Sequence, residues 1–205
     1  MKKKLYTDIN IKRIDSFLDK HLEIAKNLKD GAPPFSSVEI SINGACNRRC
    51  FFCPRVDEKG YPNILNSLDM KLFDELVDDL QSINYQGRIA FSGFCEPLLS
   101  KNLDEYILKI KKRLTKTVVE IVSNGDPLLA KNGKERLINL YKAGLDTIKI
   151  SLYDGPHQIE LFDKIKEDLK LSEDQYIIRK RYLGPEESFG ITISNRAGSV
   201  SLKNE

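Results

Sequence analysis

The chain has 205 residues, 40% hydrophobic and 31% charged, enough for one globular domain with a real core. Its 33 basic and 30 acidic residues leave a formal charge of +3, so the overall balance gives no electrostatic basis for nucleic acid or an anionic membrane as principal partner. No stretch approaches ~18 apolar residues, and charges interrupt "MKKKLYTDINIKRIDSFLDK" before a signal-peptide core forms; a soluble cytoplasmic protein with reduced thiols is expected.

The first segment sets Ile14, Phe17, Leu18, Leu22, Ala25 and Leu28 on one helical face, and "DGAPP" (30–34) stops it. Residues 1–34 are therefore expected to form a helical extension, with the main domain at 35–205. "SVEISIN" (37–43) then alternates Val38, Ile40 and Ile42 with polar residues, which is strand period.

From there helices and strands take turns. Helices are expected near 68–82, 102–114, 133–143 and 157–170, and strands near 87–92, 117–123, 146–152 and 175–183, with a sixth short strand at "GITISN" (190–195). Such alternation points to βαβ units and a parallel α/β sheet. Crossovers of one hand bring the carboxyl ends of parallel strands to one edge, where α/β folds bind ligands. That edge carries "NGACNRRCFFC", "SGFCEP", "SNGD", "SLYDGP" and "LGPEE", each a Gly-containing polar turn.

Three of the four cysteines, Cys46, Cys50 and Cys53, fall in the first of these turns at C-x3-C-x2-C spacing. Three thiols within eight residues point to a metal centre more readily than to packing or a disulfide with a spare thiol. They are one short of a closed structural zinc site, which Cys95 in the second turn would complete; an iron–sulfur centre would instead keep one iron open for another ligand.

"CNRRCFFC" resembles the C-x3-C-x-aromatic-C signature of the radical S-adenosylmethionine (SAM) superfamily, with Phe52 at the aromatic position. "SGFCEP" is similar to the family's glycine–glutamate turn, "IVSNGD" to its Asn-Gly turn, and "IKISLYDG" to the Ser-containing turn of the subgroup that carries SPASM-type C-terminal domains. The four motifs occur in the family's order, each after an expected strand, over roughly residues 36–182. The resemblance implies a partial parallel (β/α)6-type barrel, an open TIM-like barrel. Its C-terminal auxiliary-cluster domain would be lacking, since no cysteine follows Cys95.

It also implies a mechanism. Cys46, Cys50 and Cys53 would hold a [4Fe–4S] cluster whose open iron binds SAM. One electron, from a donor such as flavodoxin or ferredoxin, would cleave SAM to methionine and a 5′-deoxyadenosyl radical, which removes a hydrogen atom from a peptide, a sugar or cyclitol, or another small metabolite. Phe52 would pack beside the adenine, Gly93 would admit the ligand's close approach, and Glu96 would accept the methionyl ammonium. Ser123, Asn124 and Ser151 would offer hydroxyl and amide groups, though all three residue types also build turns. The Arg with which relatives hold the SAM carboxylate is missing from "GPHQIELFDKIKEDLK", which leaves Arg179 or Arg181 for that contact. Cys95 is read as a turn residue that helps to present Glu96. The alternative is a non-catalytic iron–sulfur or zinc-binding accessory module derived from such an enzyme.

Overall fold

The computed structural model describes residues 35–182, together with residues 16, 18–20, 22 and 23, which are helical. Leu18 and Leu22 of that fragment are exposed. The remaining residues of the expected N-terminal helix, the "LGPEE" turn and the strand expected at 190–195 lie outside the described residues.

Seven strands and four helices follow: β1 (Ser37–Ile40), β2 (Asn43–Gly44), β3 (Ile64–Ser67), α1 (Met70–Ser82), β4 (Arg88–Phe91), α2 (Leu103–Arg113), β5 (Val118–Ser123), α3 (Gly133–Ala143), β6 (Thr147–Leu152), α4 (His157–Asp168) and β7 (Tyr176–Lys180). The main sheet is wholly parallel, in the order β1-β4-β5-β6-β7, the arrangement of a partial TIM-like barrel. Each expected helix and strand between 37 and 182 is present, with ends moved by a few residues.

The helices form because their apolar residues fall on one stripe. Phe73, Val77 and Leu80 of α1, Tyr106, Ile107 and Ile110 of α2, Leu137 and Leu140 of α3, and Phe162 and Ile165 of α4 bury against Ile89, Phe91, Val119, Ile121, Ile148 and Ile150 of the strands. Asp69 caps the start of α1 by accepting the Leu72 N–H at 3.0 Å, and Gly144, left-handed at φ 108°, ends α3. Among the described residues no helix is long and apolar enough to cross a membrane.

Alternation sends the intervening strand residues to the opposite, barrel-lining face. That face is polar: Arg88 on β4, Glu120 on β5 and Lys149 on β6 meet there, with Lys149 Nζ 2.6 Å and Arg88 Nη1 2.9 Å from Glu120 Oε2. A second, two-stranded antiparallel sheet pairs β2 with β3. Nothing in the sequence marks it, because β3 is exposed at all four positions and so lacks the alternation that a half-buried strand shows.

Candidate functional site

The carboxyl ends of β1, β4, β5 and β6 converge as expected, and the cysteine loop lies across them. Asn43, buried in β2, shapes its entry: the side chain accepts the Ala45 N–H at 2.8 Å and donates to the Glu96 carbonyl at 3.0 Å. The Glu96 N–H donates in turn to the Ala45 carbonyl at 2.9 Å. Past the last cysteine, Pro54 opens a single 3-10 turn over Pro54–Val56.

All four cysteines are free thiols and half-buried. One cleft is lined by all of them, together with Phe52, Gly93, Glu96, Ser123 and Asn124. Cys46 donates its N–H to Asn63 Oδ1 at 2.8 Å, and its sulfur lies 3.5 Å from the Arg48 N–H and 3.9 Å from Asn124 Nδ2. Burial pushes the Cys46 thiol up, against the Arg48 N–H and the charge of Arg55, and pushes Cys50 up to about 11. The Cys95 thiol instead sits 3.4 Å from the Ser92 carbonyl, within its own turn. Among the described residues no three His, Cys, Asp or Glu side chains are grouped tightly enough to hold a single metal ion.

Glu96 is the hub of the second turn and only 1% exposed. Its Oε1 accepts the Leu98 N–H at 3.0 Å and the Ser123 hydroxyl at 2.7 Å, while Oε2 accepts the Asn124 N–H at 2.8 Å. Burial raises its pKa despite these bonds. The carboxylate therefore ties the second turn to the third besides forming part of the cleft wall. Ser123 is engaged by the protein too, since its Oγ also accepts the Gly125 N–H at 2.9 Å. Asn124 combines the two readings open to it: Oδ1 accepts the Asp126 N–H at 3.0 Å in an Asx turn, while Nδ2 donates to Asn47 Oδ1 at 2.8 Å beside the Cys46 sulfur.

Gly93 has φ 103°, a left-handed conformation that favours glycine, and a Cβ there would displace the Ser41 hydroxyl, 2.1 Å away. Phe52 packs its ring 5.1 Å from that of Tyr153 and 5.3 Å from that of Phe51. Ser151 and Arg179 are not in the cleft wall. Ser151 is buried, close enough to the Tyr153 hydroxyl to lower its pKa against the effect of burial, and Arg179 is its register partner on β7.

Four contributors escape a reading by motif. Arg48 donates from Nε and Nη2 to Asp126, both at 2.7 Å, and from Nη1 and Nη2 to Asp154, both at 2.8 Å, with its guanidinium 5.9 Å from the Tyr153 ring centroid. It thereby staples the cysteine loop to the turns after β5 and β6. The other three are Tyr153 itself, Asn63, and Arg55, which donates to the Phe94 and Gly44 carbonyls. The only signal for Arg55 is its place two residues after Cys53, and the only one for Tyr153 is an aromatic ring at a strand's carboxyl end.

An open parallel α/β barrel carries three free thiols on one loop at the carboxyl ends of its strands, an arrangement suited to holding a cofactor. Residues 40–175 match the model of the Radical SAM superfamily, and the chain belongs to that superfamily, whose members use a [4Fe–4S] cluster and SAM. It is 32% identical over 121 residues, 59% of this chain and 46% of the other, to the S-adenosyl-L-methionine-dependent 2-deoxy-scyllo-inosamine dehydrogenase of Niallia circulans. It is 29% identical over 170 residues, 82% of this chain and 47% of the other, to the GTP 3',8-cyclase of Helicobacter pylori (strain HPAG1). The crystal structure of BtrN in complex with AdoMet and 2-DOIA superposes with a TM-score of 0.62 at 26% identity, over 80% of this chain and 61% of that one. The chain thus spans about half the length of the relatives it matches in sequence.

Proposed function

We propose that residues 35–205 form the core of a radical SAM enzyme acting on a hydroxylated small molecule of the sugar or cyclitol kind, with residues 1–34 as an extension. The observation that carries this reading is the convergence of Cys46, Cys50 and Cys53 with Glu96, Asn124 and the Phe52–Tyr153 ring pair on one cleft at the barrel mouth. The kinship over 121 residues with an enzyme named for a cyclitol derivative supports the substrate class.

The donor set fits a [4Fe–4S] cluster. Cys46, Cys50 and Cys53 would hold it: their three free thiols share one cleft, and Cys46 has N–H donors already on its sulfur. When bound, cluster and SAM supply one-electron cleavage of the sulfonium and a 5′-deoxyadenosyl radical that abstracts hydrogen from substrate. The protein's share is position and exclusion of water. Phe52 offers a flat apolar face to the adenine, Gly93 lets the backbone approach the ligand, and Glu96 and Asn124 present polar atoms to the amino-acid end of SAM. Ser123 and Ser151 support that wall from behind, Ser151 through Tyr153, and Arg179 is the cation on the barrel side of β7 for a carboxylate. An electron-transfer protein of the flavodoxin or ferredoxin type in the cytoplasm supplies the electron.

Anaerobic reconstitution with iron and sulfide tests this reading. About four irons per chain are expected, with release of 5′-deoxyadenosine from SAM on reduction. Cys50→Ala should lose the cluster, while Cys95→Ala should keep it. Tight zinc binding with no cleavage of SAM would instead identify an accessory module.

A further inference from the structure

The loop from Cys46 to Val56 carries three arginines, and they are partnered differently. Arg48 is neutralised by Asp126 and Asp154, and Arg49 pairs at the surface with Glu58. Arg55 is 7% exposed, lines the cleft with the three cysteines, and forms no ion pair with a carboxylate among the described residues. Its Nε donates to the Phe94 carbonyl, Nη2 to the Gly44 carbonyl, and Nη1 to Asn63 Oδ1 at 3.4 Å. That accounts for three of a guanidinium's five N–H groups. Asn63 Oδ1 also accepts the Cys46 N–H, so one side-chain oxygen joins Arg55 to the first cysteine.

A buried guanidinium is expensive unless an anion compensates it, and neutral carbonyls offset only part of that cost. The Glu96 carboxylate in the same wall is taken up by Leu98, Ser123 and Asn124 and forms no ion pair with Arg55, so the geometry points to a further anion in the cleft. An oxidised [4Fe–4S] core with two positive charges becomes a monoanion when three thiolates bind it, and a dianion after one electron arrives from an external donor.

We propose that Arg55 is the buried counter-ion of the cluster held by Cys46, Cys50 and Cys53, and that its fixed charge favours the reduced, more negative form. No bond forms or breaks at Arg55 and no proton moves there. It is a positioning residue that acts through charge and through its hold on the Phe94 and Gly44 carbonyls. The inference rests on the cluster reading above.

The test uses the full chain, reconstituted anaerobically, with iron content and an electron paramagnetic resonance-monitored redox titration as readouts for wild type, Arg55→Lys and Arg55→Gln. Arg55→Gln should keep iron yet move the reduction equilibrium at least tenfold toward the oxidised form, about 59 mV for a one-electron couple. Arg55→Lys, which keeps the charge, should stay within a factor of about three of wild type. An unchanged equilibrium in Arg55→Gln overturns the proposal. Should Arg55→Gln fail to fold, Arg55→Lys decides: a tenfold shift with the charge retained overturns it, and an unshifted equilibrium upholds it. Wild type that takes up no cluster overturns the cluster reading itself, which separates the two failures.

Discussion

Arg48 makes four charge-assisted hydrogen bonds, two to Asp126 and two to Asp154, from a side chain 17% exposed. The bonds to Arg48 hold the Asp154 carboxyl below the usual carboxylate range. Truncation by Arg48→Ala would leave two carboxylates facing each other across the loop. Because both acids are partly solvated, a loss of about 1 to 3 kcal/mol in unfolding free energy is expected, read from denaturant midpoints. Arg48→Lys should recover less than half of it, since an ammonium cannot fork to two carboxylates at once. What motifs reveal at this scale is local. Cys46, Cys50, Phe52, Cys53, Glu96 and Asn124 stand in short runs that their spacing singles out, and the fold brings all six to one cleft. Arg48 escapes the same reading because its partners lie 78 and 106 residues away, and no pattern around "NRRC" says which acids the fold will bring to it. Glu96 shows a subtler gap: its position is legible, whereas its bonds to Leu98, Ser123 and Asn124 appear only once the second and third turns are side by side.

The strands carry their own test in the Arg88–Glu120–Lys149 group. Glu120 is fully buried, and the Lys149 side chain is 4% exposed. Glu120→Leu would remove the carboxylate that this ammonium bonds at 2.6 Å, at a cost on the order of 3 kcal/mol, whereas Glu120→Leu combined with Lys149→Met should recover most of the loss. Thermal unfolding of the two single variants and the double variant would reveal the coupling. "TVVEIVS" and "DTIKISL" were readable as strands despite these charges, because Val119, Ile121, Ile148 and Ile150 keep the period of two. That Glu120 and Lys149 share one face follows from alternation plus register, and register is a property of the sheet that no single strand encodes. For β3 even the period is absent, since all four of its residues face solvent.

Across the whole molecule, pH dependence follows from opposing carboxylates. Burial pushes the Glu120 carboxyl up, but the Lys149 and Arg88 charges together outweigh it and leave it below the usual range. Its contribution to stability is therefore present above the unfolded value of about 4.3 and is lost as pH falls through the lowered one. Glu96, raised by burial, acts in the opposite sense, its contribution fading as pH rises through the raised value. Wild type should lose unfolding free energy steeply below about pH 4, and Glu120→Gln should flatten that slope, as measured by denaturant melts across pH. Topology also sets a timetable. The bonds from Arg48 to Asp154 close across 106 residues, so during synthesis the cysteine loop gains this last fastening, after those to Asn63, Phe94 and Asp126, only once β6 and its turn have emerged and docked. Until then the wall behind the thiols is unfinished, so the loop that carries three of them is encoded early in the chain and completed late.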